Sequence, residues 1–322
     1  MSQKHKNITL LGILVLLIIC SIILGVTDYS TVNTIENRKI FSVQDTSKVD
    51  HISIKSKSET IQLSKVDGLW MLNDTYKAEA NIVKVLLSIL KDVEVIRNVP
   101  KTQAENIADH IRENGFLIEI SGDENLMQTF YCSGNNNKTV SYIMPDNENN
   151  PSIINIPGYE SYVAGIFEIS ANDWRERVIL STNWRTLQKL HIDYAEYPEL
   201  SLNIKFEFNF LNVEGVTNLD TAKMMSFIDK FNYLQTDRYI NKGQYERYDS
   251  LLQTPKTVSM AIEDINERNS RTIDFFPLIP DDPMMLGYVK EDDQMVLFEA
   301  NRIQKIFAVK SDFEAKPENG QK

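Results

Sequence analysis

The sequence predicts an α+β protein: an N-terminal transmembrane helix followed by two tandem copies of a mostly antiparallel sheet with a packed helix. Three observations carry this. Apolar and polar residues alternate with a period of two from His51, as on a sheet with one buried face. The period then lengthens to three and four over residues 78–93, as on one stripe of an amphipathic helix. Similar landmarks begin again at His191, about 140 residues later, after a stretch reading NDWRERVILSTNWR.

A chain of 322 residues can supply two domains of ordinary size, each with its own core. An apolar fraction of 42% and a charged fraction of 25% are those of a globular protein. The formal charge of -11 argues against nucleic acid as a partner, because that needs a basic footprint.

Residues 8–26 read ITLLGILVLLIICSIILGV and carry no charge. At ~1.5 Å per residue that length crosses a hydrocarbon core of about 30 Å, so the span is expected to enter the lipid bilayer as a single-pass anchor. A cleaved signal peptide is the rival. Its apolar region usually has only ~7 to 15 residues, and Ser21 and Gly25 make a poor cleavage site. Lipoprotein processing at Cys20 is a further rival, disfavoured by Ile19 before it. Lys4 and Lys6 precede the span and Asp28 follows it, which places the amino terminus in the cytoplasm and the bulk outside the inner membrane. Of the two cysteines, Cys20 lies in the span, so Cys132 has no disulfide partner and reads as a small apolar strand residue.

In chain order, residues 31–47 are polar and read as a stalk. Strands follow at 51–55, 60–65 and 69–72, with Asp67-Gly68 as a tight turn. Ile82, Val85, Leu86, Ile89, Leu90 and Val93 then form the helical stripe, which should pack on the strands. Further strands are expected at 116–120, 128–132, 140–144 and 153–156, separated by turn-prone polar runs.

The second pass repeats the plan. Residues 202–210 alternate as one strand, and Thr217 to Asp220 has the pattern of a capping box before the helix TAKMMSFIDKFNYL. LLSILKDV in the first copy matches MMSFIDKF in the second, position by position in polarity. Later strands are expected at 257–262, 272–276, 286–289 and 295–298. Asp173-Trp174 at the first exit answers Asp312-Phe313 at the second. The resulting plan is a cytoplasmic terminus over 1–7, the transmembrane helix over 8–26, a stalk over 27–47 and a first α+β repeat over 48–170. A Trp/Arg hinge over 171–185, a second repeat over 186–310 and a polar tail over 311–322 complete it. One large α+β domain with accidental internal similarity is the alternative.

Taken together, the anchor, the strand GLWML, the helix after it, the junction Trp174-Arg175-Glu176-Arg177 and the stretch Thr236-Asp237-Arg238-Tyr239 resemble the bacterial domain-of-unknown-function 4340 family. The resemblance covers roughly 49–309. The chain departs from it in carrying Phe208 and Phe210 where members often have a second strand tryptophan. The resemblance implies a membrane-anchored accessory protein encoded beside ABC-transport components related to gliding motility. It supplies no catalytic residues.

Trp174, Arg175, Arg177, Trp184 and Arg185 form the most concentrated unusual group, and tryptophan and arginine dominate binding hot spots. The competing reading is structural, with rings closing the cores. The Pro-rich loop 277–283, flanked by Phe276, Met284 and Met285, is a second candidate contact surface, against a rigid connection that covers the second core. His51 and His191 recur at equivalent places and read as strand-edge positions. None of the four histidines has a partner at metal-ligand spacing. Asp281-Asp282 and Glu291-Asp292-Asp293 lack the pattern of a calcium loop and read as solvated turns. No nucleophile elbow, phosphate loop or zinc motif appears. The expectation is therefore a protein without catalytic, cofactor or metal residues. It would bind an envelope partner, namely subunits of an ABC-type assembly. Alternatives are an anchored receptor for a glycan or peptide held between the repeats, and an envelope enzyme of unrecognised type.

Overall fold

The computed structural model describes residues 17, 21, 37–123, 125–159 and 162–315. The expected span lies outside these residues apart from Leu17 and Ser21, which are helical and exposed. Among the described residues no helix is long and apolar enough to cross a membrane. The architecture is α+β with large antiparallel sheets. The described chain through Gly68 forms one compact unit with Val83–Glu168, and Leu69–Ile82 forms a second with the chain from Ile169 onward.

In the first unit, strands β1 (His51–Lys55) and β2 (Thr60–Val66) form a hairpin. Ile52, Ile54, Ile61 and Leu63 are buried in it, as the alternation requires. Strands β3 (Leu69–Leu72) and β4 (Tyr76–Lys77) pair as a second hairpin, which belongs to the other unit. Helix α1 (Ala80–Asp92) buries Val83, Leu86 and Leu90, three and four residues apart. The next stretch, unassigned from sequence, forms strand β5 (Glu94–Asn98) and helix α2 (Lys101–Asn114). Strands β6 (Phe116–Gly122), β7 (Asn125–Gly134), β8 (Ser141–Pro145) and β9 (Ser152–Asn155) then run as a meander. The order across the unit's sheet is β2-β1-β6-β7-β8-β9-β5. The chain thus travels to the far edge to lay down β5 and returns to the centre through α2.

The expected stalk is corrected over its described part. Phe41 and Val43 are buried, the Phe41 ring meets Phe130 edge-on at 5.8 Å, and the Val43 amide donates to Leu90 O at 2.8 Å. This part of the polar run is packed on the unit through these two apolar side chains and the backbone bond.

In the second unit, helix α3 (Ala171–Trp174) leads to strand β10 (Val178–Leu180). Strands β11 (Leu187–Tyr194), β12 (Leu202–Glu207) and β13 (Phe210–Val213) follow, then helix α4 (Thr221–Ile228) and a 3-10 turn over Asp229–Phe231. The remaining elements are β14 (Leu234–Gln235), β15 (Arg238–Ile240), α5 (Glu246–Leu251), β16 (Val258–Asp264), β17 (Arg271–Phe275), β18 (Met284–Val289), β19 (Gln294–Glu299) and α6 (Ala300–Ile303). The sheet order is β13-β12-β11-β16-β17-β18-β19-β15, and its last seven strands repeat the excursion seen in the first unit. Ile192, Ile204, Ile228, Phe231, Phe275 and Phe298 belong to its main core.

Five expectations change here. The strand expected over 202–210 is a hairpin, because Phe208 and Asn209 adopt positive φ and turn the chain. Asp220, the last residue of the expected capping box, is the actual cap of α4 and accepts the Lys223 amide at 3.1 Å. The hinge does not join two bodies as a linker: its residues belong to the second unit, and β10 pairs with β14. The polar tail begins folded, with Phe313 buried and its ring 5.2 Å from Phe227. Residues 316–322 lie outside the described ones. His51 and His191 sit on β1 and β11, which are interior strands and not sheet edges.

The same hydrogen bonds recur at matching places. Val95 N donates to Arg38 O at 2.8 Å, and Thr236 N donates to Arg177 O at 2.9 Å. Ser47 N donates to the Asp45 carboxylate at 3.1 Å, and Arg185 N donates to the Asn183 carboxamide at 2.9 Å. Glu79 N donates to Trp174 O at 2.7 Å, and Asp220 N donates to Phe313 O at 2.8 Å.

Two predictions follow from local packing. A Cβ at Gly134 would collide with the Tyr162 ring, whose hydroxyl donates to Glu168 while Lys138 Nζ holds that carboxylate at 2.7 Å. Gly134→Ala should cost about 1 to 3 kcal/mol, read from the urea midpoint; an unchanged midpoint would refute the close approach. Asp274 is harder to ionise because of burial, yet hydrogen bonds from Ser259, Lys256 and Lys290 outweigh this and hold its pKa below the usual value. A depressed folded pKa means that its stabilisation is fully present above the unfolded carboxylate pKa of ~4 and is lost as pH falls through the folded one. Asp274→Asn should therefore cost about 1 to 2 kcal/mol at pH 7, kept low by the half-exposed lysines, and little in acid. Urea unfolding at both pH values measures the difference.

Candidate functional site

The residues singled out from sequence separate into three groups. Trp174 ends α3 and is wholly buried, so it is no contact ring. Its indole N–H has no hydrogen-bond partner among the described residues. Arg175 bridges Ala78, and Glu176 N donates to Lys77 O at 2.8 Å, so the backbone on both sides is fixed. The Arg175 guanidinium lies between the Tyr76 and Tyr239 rings, 3.6 and 3.8 Å from their centroids. Its Nη1 donates to Gln294 Oε1 at 2.7 Å. Burial pulls this guanidinium below its ordinary pKa, opposed by the two tyrosines, and burial pushes Tyr239 up to about 12. A buried cation needs compensation, and two aromatic faces with an amide oxygen provide it here. Arg175 is a packing residue and not a surface contact.

The second group is also structural. Phe276 and Met285 are buried, and Met284 is half-buried. Phe276 joins Ile240, Tyr248, Leu286, Met295 and Leu297 in a second cluster, against which Met284 packs. Asp282, expected in a solvated turn, has only 5% of its side chain exposed; it accepts the Tyr248 hydroxyl at 2.8 Å and pairs with Arg247 at 3.4 Å. The Pro-rich loop is thus a rigid connection over the core.

The third group is open. Arg177 is exposed. Trp184 and Arg185 are exposed on the approach to β11, with the guanidinium 4.8 Å from the indole centroid. They line a cavity of about 660 Å3 with Phe206, Phe210, Leu211, Leu219, Met224 and Met225, rimmed by Asn209, Asn212 and Thr221. Phe208 at the tip of the β12–β13 hairpin is 90% exposed, and Phe210 is 72% exposed. The two-residue loop of Phe208 (φ 52°) and Asn209 (φ 69°) has the positive φ values that a type I′ turn requires. The signal for these residues was present as three phenylalanines at alternate positions in FEFNF. Read as one continuous strand, it concealed the turn.

No group of three or more His, Cys, Asp or Glu side chains that could hold a metal occurs among the described residues. Cys132 is buried, and burial, then the charge of Glu168, pushes its thiol far up. His191 Nδ1 is buried without a partner among the described residues, whereas His51 Nδ1 lies 3.2 Å from Ser64 Oγ.

Trp174→Ala should lose about 3 to 5 kcal/mol, as large core deletions do. Trp174→Phe should lose less than the alanine variant, about 1 to 2 kcal/mol, because a phenyl ring still fills most of the site and an unpaired buried N–H is removed, which offsets part of the cavity cost. Thermal or urea unfolding checks the pair. Equal stability of the alanine variant and the parent would contradict the packing role.

The family model described as Domain of unknown function (DUF4340) matches residues 70–255, more than half of the chain. No curated protein and no solved structure matches. The matched stretch contains both segments that meet at the buried guanidinium, Trp174 to Arg177 and Thr236 to Tyr239. The chain belongs to the family described as Domain of unknown function (DUF4340).

Proposed function

We propose that this is a non-enzymatic, single-pass membrane protein whose extracytoplasmic (periplasmic) part binds another envelope protein as an accessory of an ABC-transport-type assembly. The observation that carries the reading is the hairpin tip, where Phe208 and Phe210 face solvent and Phe210 lines a cavity together with Trp184. Clustered exposed aromatics are the chemistry of interaction surfaces, and a hairpin presents them on a defined backbone. The uncharged residues 8–26 support a transmembrane helix with its amino terminus in the cytoplasm. The shared order of seven strands and the recurring hydrogen bonds support an origin by tandem duplication. The gene neighbourhood implied by the family resemblance supplies the choice of transporter subunits.

A receptor is the second reading, favoured by the cavity lined by Trp184, which lies within the second unit. Its ligand would be a small molecule or peptide.

A photo-crosslinking phenylalanine analogue at position 208 of the full-length protein, activated in native membranes, should yield a discrete adduct containing a transporter subunit. The same analogue at Tyr159, 70% exposed in the first unit, should not. Repeated absence of any adduct at 208 would count against the partnership.

A further inference from the structure

We propose that the cavity behind the β12–β13 hairpin binds a single-chain anionic amphiphile, a long-chain carboxylate, with its chain between the hairpin and α4 and its head group on Arg185. The volume, about 660 Å3, lies within the range of about 300 to 1,000 Å3 typical of small-molecule sites. It is well short of what a two-chain phospholipid needs. The walls are two aromatic side chains of the hairpin, the Trp184 indole, two leucines and two methionines. Methionine is pliable and accommodates an unbranched chain without a fixed shape.

The polar end is defined by elimination. Among the described residues Arg185 is the only charged one lining the cavity, and no carboxylate lines it. Its guanidinium has no acidic partner among the described residues, although the chain carries a formal net charge of -11. Asn212 is already committed, its Nδ2 donating to the carbonyls of Glu207 and Phe210 at 3.3 Å each. A carboxylate head can take the planar guanidinium in a bidentate pair, for which no other lining group competes. A sugar would face a wall with few donors and acceptors, and a neutral alkane would leave the cation unused. The cavity lined by Lys223, Lys230 and Lys305 is less suited to an anion, because the Asp312 carboxylate lines it too. Lys230 Nζ donates to Lys305 O at 2.8 Å, and Lys223 pairs with Asp220 at 3.4 Å.

This inference rests on the cavity and not on the proposed partnership, and its test contains no partner. Full-length protein in phosphatidylcholine nanodiscs is titrated with 9,10-dibromostearate while tryptophan emission is followed, since bromine quenches an indole only at close range. Saturable quenching at micromolar concentration is expected, and Trp184→Phe should remove most of it. Arg185→Glu should weaken binding at least tenfold, Arg185→Lys by a smaller amount because it keeps the charge and loses the bidentate pair, and the neutral dibromo-octadecanol should bind at least tenfold more weakly than the acid. Tyr233→Ser, exposed elsewhere on the same unit, should leave the titration unchanged. Equal quenching by acid and alcohol, equal binding by Arg185→Glu with an unchanged circular dichroism spectrum, or quenching only by a brominated two-chain lipid would each overturn the proposal.

Discussion

The second unit depends on one interaction made twice, a backbone carbonyl beside a buried aromatic accepting the amide just before a helix. Trp174 O takes Glu79 N ahead of α1, and Phe313 O takes Asp220 N ahead of α4. Amides at a helix entrance have no partner within the helix, so an outside acceptor must be found. Supplying it from a distant chain segment ties the helix start to a point nearly a hundred residues away. The aromatic ring next to each carbonyl, 0% exposed for Trp174 and 2% for Phe313, anchors that segment by burial. Secondary structure and closure of the fold are thereby secured by the same contact.

The segments that carry the family resemblance acquire a physical meaning from this arrangement. Trp174 supplies the buried ring, and Arg175 next to it stacks on Tyr239 from the stretch TDRY. In the same stretch, Thr236 Oγ1 donates to Leu297 O at 2.8 Å, and Asp237 pairs with Arg302. Two of the five residues that looked like a concentration of hot-spot residues, Trp174 and Arg175, form a clasp. A guanidinium enclosed by two rings is held by geometry on every side, and lysine, lacking the planar face, is no substitute.

Much of the fold was legible because it rests on burial periodicity. Ile52 and Ile54, and then Leu86 and Leu90, follow the spacing that each element demands, and strands and helix emerge from it directly. Helix α2 was not legible, since only Ala108 and Ile111 are buried in KTQAENIADHIREN and its apolar stripe is thin. The stalk failed for the opposite reason. Phe41 and Val43 belong to a weak alternation in a polar run, too short to read as a strand even though both are buried. At the candidate site, Trp184 and Arg185 were found by composition. The phenylalanines facing them were not, because alternation in a strand does not reveal where the chain reverses. Phe276 and Met285 left two readings open because an apolar residue beside a proline-rich loop looks the same whether it faces solvent or core, and burial decides for the core.

The hairpin turn at Phe208 and Asn209 carries one further implication. The turn between β2 and β3 is built from Asp67 (φ 51°) and Gly68 (φ 82°), residue types that enter left-handed backbone at low cost. The later turn places a bulky phenylalanine at φ 52°, a conformation that a large side chain adopts only with strain. Folding alone has no use for it. A library screened only for heat resistance would therefore shed this ring early, converging on Asp-Gly or Asn-Gly, and the survivors would be sturdier proteins with a blunted tip.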